Sequence, residues 1–317
     1  WAPMVRVMAH WFPAKGRGKV MGAMGTCYQF GGAVSWALAF FLTTYFVDKM
    51  GGDWRTVFLV PAALFAGVGL FFFFTIRDRP EDVGLDPVDS EKKVISSSSA
   101  DPDIVENIFR TLRNPHLWIV AAAFFCLDMN RYGFVNWLPS FLDEQMSGAP
   151  SSLVGNLKEI MKRCIHPLAG SAGALVAGWA TDRICGGRRA PVIVVLLFVL
   201  GVTTIYFPTI DPHNTWLVVS VVALIGFCTY GPHILMVGHA AQDFGEKAGA
   251  GGAAGFIDGM GYIGAALAGW GAGKLIHAEG YVLTFKLFGW VAILGAFFAL
   301  LIWKVGPDDH DHEQELI

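Results

Sequence analysis

Apolar runs of roughly 20 residues, from 17 upward, alternate with short polar connections along most of the chain, lying at 20–46, 56–76, 117–142, 153–181, 191–207, 216–240, 248–276 and 282–303. Each is long enough to cross the roughly 30 Å hydrocarbon core of a bilayer as a helix. None shows the period-2 alternation of a barrel strand, and only helices or closed barrels satisfy their backbone groups in lipid. The pattern therefore predicts eight full transmembrane helices. The opening "WAPMVRVMAHWF" is already apolar and is expected to be the end of a ninth.

One stretch breaks the rhythm. Residues 78–113 carry Pro, Ser and mixed charge, which reads as a linker, with "DIVENIFRTLRN" suited to an amphipathic surface helix. The expected organisation is 1–77 with two full helices after the partial one, the linker 78–113, a six-helix segment 114–305, and an acidic tail 306–317. Composition agrees with a membrane protein: 54% of residues are hydrophobic, 15% are charged, and there are 25 Phe. A water-soluble enzyme is excluded on that basis.

Basic residues set an expected orientation. Lys15, Arg17, Lys19, Arg77, Arg79, Lys92, Lys93, Arg110, Arg113, Arg183, Arg188, Arg189, Lys247 and Lys304 fall in alternate connections, and the opposite set holds Lys49 and Arg55. The first set, the linker and the tail are thus expected on the cytoplasmic side. The five cysteines show neither a CxxC pair nor metal spacing and read as packing residues.

The chemistry to explain is "CLDMNRYGFVNWLP", where Asp128 and Arg131 stand in mid-span. An arginine there costs about 2.5 to 3.5 kcal/mol on insertion scales, so it normally faces a cavity or a partner. Asp128 is three residues earlier on nearly the same helix face and can pair with it. Asp258 is a further intramembrane carboxylate, suited to a substrate hydroxyl or a basic partner. In "GNLKEIMKRCIHPLAG", Lys158, Lys162 and His166 recur every four residues and are expected to form one cationic stripe near the extracytoplasmic end, either lining an outer cavity or solvated above the bilayer. Gly259, Gly261 and Gly264 spell G-x-G-x-x-G, but no strand precedes them and they read as helix-packing glycines. No catalytic Ser/His pair, metal set or cofactor motif is evident, so neither an enzyme nor a bound cofactor is expected.

"GWATDRICGGRRAP" matches the G-x-x-x-D-R-x-x-G-R-R connection of the major facilitator superfamily through Gly178, Asp182, Arg183, Gly187, Arg188 and Arg189. In physical terms Asp182 and the basic cluster can cap helix ends and exchange partners as the halves rock, and Gly178 can permit close helix approach. "HWFPAKGRG", "RDRPEDVGL", "NRYGFVNWLPSFL", "IGFCTYGPHILMVGHA" and "EKAGAGGAAGFIDGMGYIG" together resemble the organophosphate:phosphate antiporters within that superfamily, the group of glycerol-3-phosphate and hexose-6-phosphate transporters. The resemblance implies an all-α major facilitator bundle in which this chain supplies helices 4 to 12, with the first three helices absent.

It further implies that Arg131 grips a substrate phosphate, for which a guanidinium fork is well shaped. His10 matches a fourth-helix histidine that approaches the same phosphate and can gain a proton as the dianion arrives. Tyr230 and Tyr262 match cavity tyrosines, and His239 falls on a family histidine of unassigned role. The pattern also departs from the family: Tyr28 and Gln29 occupy the polar positions of the fifth helix, Asn136 replaces an acidic residue after the RYG motif, and Pro167 replaces an eighth-helix glutamate. The ion-pair network around Arg131 is therefore expected to be rewired toward Asp128.

The implied activity is exchange of an organic phosphate ester for inorganic phosphate by alternating access, carried out by a monomer in the bilayer of a bacterial inner membrane, with no nucleic-acid partner. A phosphate-ester sensor of the same family and a proton-coupled organic-anion symporter, with Asp128 or Asp258 as proton carrier, are the alternatives.

Overall fold

The computed structural model describes residues 7, 11–12, 17–77, 79–85, 112–145, 153–211, 213–240 and 250–303, together with some helix positions whose side chains are not described. His10 and the tail lie outside them. All regular structure among the described residues is helical, as the run lengths require.

The chain forms two compact units, Trp1–Pro102 and Asp103–Ile317. The first contains α1 (Arg17–Leu42), which continues through the π-helical stretch Thr43–Lys49, and α2 (Thr56–Thr75). The Trp11 indole donates to the Arg77 carbonyl at 3.0 Å, linking the chain before α1 to the residues just after α2. Along α2 no residue is buried, and Phe65 and Phe73 are 82% and 76% exposed. Such a surface is tolerated where acyl chains or other helices replace water.

The second unit contains α3 (Pro115–Gln145), α4 (Leu153–Arg183), α5 (Ala190–Tyr206), α6 (Thr215–Ile234), α7 (Ala250–Ala266) and α8 (Ala272–Leu301). Proline opens α3, where a missing N–H costs nothing, and Asn114 Oδ1 accepts from the His116 N–H at 3.0 Å. Asn214 caps α6 by accepting from the Leu217 N–H at 3.3 Å. A π-helical turn, Leu267–Gly271, carries α7 into α8. Within α8 the backbone breaks at Gly280, whose φ of 82° and ψ of 176° are open to glycine alone.

The direction of the chain reverses there. Before the break, Phe124 and Trp137 of α3 meet Gly261 and Gly273, so residue numbers rise together; after it, Tyr281 meets Phe141, Phe285 meets Phe134 and Gly295 meets Cys126, so they run in opposite senses. With α7, the π-helical turn and the part of α8 before Gly280 counted as one pass, α1 with its π stretch, α2 to α6, that pass and the rest of α8 make eight helical passes among the described residues, as the apolar runs predict.

Five stretches are apolar and long enough to cross a membrane on length and composition: Gln29–Lys49, Thr56–Thr75, Ala190–Thr209, Thr215–Val237 and Ala253–Leu301. The last spans the Gly280 break and holds two passes. Helices α3 and α4 are long enough but carry ionisable residues that lower their mean hydropathy.

Helix α3 lies at the centre of the second unit, packed against α7 and α8, while α4 pairs with α6 and α5 with α8 and α6. Phe134, Phe141, Phe207 and Phe285 form a mutual cluster with ring centroids 5.0 to 5.3 Å apart, in the tilted and edge-on geometries that aromatic quadrupoles favour. Gly201 and Gly289 face each other where α5 crosses α8, and a methyl on either would strike the other's carbonyl. Small residues are what allow such backbone approach when no hydrophobic effect drives helices together.

Candidate functional site

The centre of α3 places charge inward. Arg131 and Asp128 are 4% and 1% exposed, so neither side chain points toward the surface that meets lipid. Arg131 Nη1 donates to Asp128 Oδ1 at 3.2 Å, the three-residue spacing bringing them together as the helical period demands. The same nitrogen lies 3.0 Å from His233 Nε2 on α6. Above and beside the guanidinium are the rings of Tyr132 and Tyr230, with centroids 4.9 and 5.2 Å away, in cation–π contact.

The neighbouring Asn130 fixes this helix from behind. Its Nδ2 donates to Thr204 Oγ1 and to the Phe288 carbonyl, both at 3.2 Å, which ties α3 to α5 and α8 and sets the rotation that presents Arg131 to α6. Trp137 adds a second tether by donating to the Ala268 carbonyl at 2.9 Å, a group in the π-helical turn between α7 and α8.

On α6, Pro232 removes the N–H that the Cys228 carbonyl would otherwise receive, and a π-helical stretch, Leu235–Ala240, begins two residues after His233. These interruptions flank the imidazole that reaches Arg131. On α4, His166 is 3% exposed and is held between Phe134, stacked at 6.1 Å and 6°, and Tyr230 at 5.6 Å. Its Nε2 has no hydrogen-bond partner among the described residues. The expectation that His166 belongs to an outer cationic stripe is corrected by this position, since the ring is buried among aromatics; the side chains of Lys158 and Lys162 lie outside the described residues.

From α7, Gly261 lies against Phe124 and the Asp128 carboxylate, too close for any side chain. Asp258, three residues earlier and partly buried, is near enough to Arg131 and Asp128 for their charges to interact. Tyr262 is 54% exposed and 6.1 Å from Tyr132, at the margin of this group rather than on Arg131. Thus Arg131, Asp128, Tyr230 and Asp258 are brought together, Tyr262 stands at the edge, and His10 and the His239 side chain lie outside the described residues. Of the two fifth-helix polar positions, Gln29 is buried with no partner for its Oε1 among the described residues, and the Tyr28 side chain is not described.

Sequence reasoning missed His233. The available signal was an ionisable side chain inside a span, three residues after Tyr230, which defaults to a functional group with a buried partner.

The connection after α4 turns through Gly186 and Gly187 at φ 58° and 84°, and the Gly187 N–H closes on the Thr181 carbonyl at 2.9 Å. Arg183 and Arg188 are exposed and Arg189 is partly buried, while the Asp182 side chain is not described. A methyl at Gly178 would meet nothing within 4 Å. The close helix approach expected at Gly178 occurs instead at Gly170 and Gly173, against Tyr230 and the Phe227 carbonyl of α6.

A bundle of membrane-length helices with a buried guanidinium at its centre defines a multi-pass integral membrane protein with a polar site inside the bilayer. The sequence matches the Major Facilitator Superfamily over residues 1–157 and 165–315, and the chain belongs to that superfamily. Its relatives bear out the resemblance to organophosphate:phosphate antiporters. The chain is 32% identical to a probable hexose phosphate transport protein of Chlamydia pneumoniae over 89% of its own length and 62% of that protein's. It is 29% identical to the glycerol-3-phosphate transporter of Bacillus subtilis, over 96% of this chain and 68% of the other. A membrane sensor protein of Salmonella typhimurium is 26% identical over 94% of this chain and 65% of that protein. The chain thus spans 62% to 68% of the length of these relatives.

Proposed function

We propose that the protein is a secondary transporter that exchanges a phosphate ester of the glycerol-phosphate or sugar-phosphate type for inorganic phosphate by alternating access. The observation that carries this reading is Arg131: a guanidinium buried mid-span, held by Asp128, His233 and the Tyr230 ring. Guanidinium is permanently charged and presents a planar fork that fits phosphate oxygens two at a time. Phosphate and Asp128 are both oxyanions, so an incoming phosphate can take the place of the carboxylate on Nη1. Two relatives are named for transport of phosphorylated compounds, which supports the substrate class.

In this reading the first unit is what this chain contributes to the N-terminal half, the second unit is the C-terminal half, and the linker, the Arg183–Arg189 connection and the tail face the cytoplasm of a bacterial inner membrane. His10, by the family resemblance, is a second phosphate ligand, Tyr262 and Asp258 meet the organic part of the substrate, and Gly178, Asp182, Arg183, Arg188 and Arg189 form the cytoplasmic connection that re-pairs during transport.

Arg131→Lys tests it in protein produced from the complete coding sequence and reconstituted in phosphate-loaded vesicles. Lysine keeps the charge and loses the fork. Losing one charge-assisted hydrogen bond of about 1.5–3 kcal/mol lowers exchange by roughly 10- to 100-fold. Wild-type exchange by this variant refutes the assignment. Ligand binding without flux by the wild type would select the sensor reading, which the similarity to a membrane sensor protein favours. Flux that follows a pH gradient with no phosphate opposite would select proton symport through Asp128 or Asp258.

A further inference from the structure

We infer that His233 is a second imidazole of the phosphate site on the Arg131 side, an acceptor from Arg131 in the arrangement seen here and a protonated donor to the anion once phosphate is bound. The inference rests on the proposed phosphate-binding role of Arg131 and adds a residue and a proton to it.

The argument begins with which atoms can donate. Arg131 Nη1 carries two hydrogens and has no acceptor capacity, and it lies 3.2 Å from Asp128 Oδ1 and 3.0 Å from His233 Nε2. Each hydrogen has one of these partners. A hydrogen bond at 3.0 Å therefore requires a lone pair on Nε2, which fixes His233 as the neutral ring with its proton on Nδ1. A protonated ring would present an N–H to an N–H and set two positive charges 3 Å apart.

Phosphate reverses that preference. A dianion that displaces Asp128 from Nη1 and also takes the hydrogen that His233 accepts leaves the ring's lone pair without its donor and sets negative charge facing the imidazole. The ring can then bind a proton at Nε2 and donate it to a phosphate oxygen, so a neutral acceptor becomes a charged donor to the same anion. When the dianion binds, the proton comes from the medium. When the monoanion binds, its own acidic proton passes from a phosphate oxygen to Nε2, and none is taken from solution.

The groups facing His233 permit this change. Across from it on α3 are Arg131 and Asp128, and the Phe124 ring is 5.2 Å away. Tyr230 on its own helix is at 6.2 Å. From α4, His166 touches Tyr230, and from α7, Asp258 interacts with the Arg131 and Asp128 charges. Helix α5, which also packs on α6, carries no charged side chain. The Asp128 carboxylate thus shares the Arg131 nitrogen with this ring, Asp258 interacts with that pair, and the phosphate adds further negative charge.

The consequence is linkage: the phosphate complex holds more protons than the free protein, so affinity for the dianion weakens as pH rises through the ring's titration. The test is calorimetric binding of inorganic phosphate, above its second ionisation, in buffers of different ionisation heat, using protein from the complete coding sequence. His233→Gln and His233→Asn keep a polar side chain and cannot titrate. Phosphate binding that persists in these variants with uptake lower than wild type by about one proton supports the inference, whatever His10 contributes. Equal uptake in wild type and both variants overturns it and leaves the Arg131 reading standing, whereas a wild type that binds no phosphate removes both. If neither variant folds, nitrogen NMR of histidine-labelled protein in a His10→Gln background decides: one ring must change from an unprotonated to a protonated Nε2 on phosphate addition, and no such change overturns the inference.

Discussion

At Asp128 an internal oxyanion holds the guanidinium that the proposed mechanism assigns to phosphate. Both members of the pair are almost fully buried, at 1% and 4% exposure, and removing one partner of a buried pair typically costs about 3–5 kcal/mol because the other charge is left uncompensated. Asp128→Asn keeps the shape and a hydrogen-bond acceptor but removes the charge. Its melting temperature in detergent is expected to fall below wild type. Inorganic phosphate then supplies the missing counter-charge, so its stabilising shift should be larger in Asp128→Asn than in wild type, because a ligand stabilises in proportion to its preference for the folded state. Equal shifts in the two proteins would mean that phosphate does not land on Arg131. The asparagine also leaves the His233 contact to Arg131 available, so the variant separates the two partners of Nη1.

Between helices, the site depends on how closely α4 approaches α6. A methyl on Gly226 would run into the carbonyl of His166, and one on Gly173 into that of Phe227. The obstacle in both cases is backbone, which cannot rotate away. Gly226→Ala is therefore expected to destabilise by about 1–3 kcal/mol, as overpacking does, and to displace the helix that carries His166. Gly178→Ala, with open space around the added methyl, should not lower the melting temperature, since alanine is also the better helix former; an equal loss in both would show that the backbone contact at Gly226 is not what governs.

The same elements show what sequence could and could not supply. Run length and the absence of alternation were enough for the passes, including α3 despite Asp128 and Arg131, because a span is set by bilayer thickness. Three-residue spacing was enough for the Arg131–Asp128 pair. Contacts between helices were not legible: His233 and Arg131 are 102 residues apart and meet only through the rotation that Asn130 imposes on α3. His166 shares a four-residue spacing with Lys158 and Lys162, but spacing defines a face and says nothing of depth along it, and Phe134 with Tyr230 enclose its ring.

At the scale of the whole molecule, under the exchange proposed above, the Asp128 pair bears on how tightly that exchange would be coupled. If the positive site resisted reorientation until an anion neutralised it, net transport without a returning anion would be blocked. Asp128 supplies part of that neutralisation from within the second unit, at 3.2 Å from Nη1. Some return without cargo is therefore expected of the wild type, seen as net phosphate efflux into phosphate-free medium alongside faster exchange into phosphate. Asp128→Asn removes the internal substitute and should slow net efflux relative to exchange, by about tenfold if the counter-charge is worth ~1.4 kcal/mol to the barrier. Both rates can be read from the same loaded vesicles by changing only the external anion. A ratio unchanged by the substitution would place the control of reorientation elsewhere, and a ratio that rises would mean that Asp128 opposes the cargo-free return it is argued to permit.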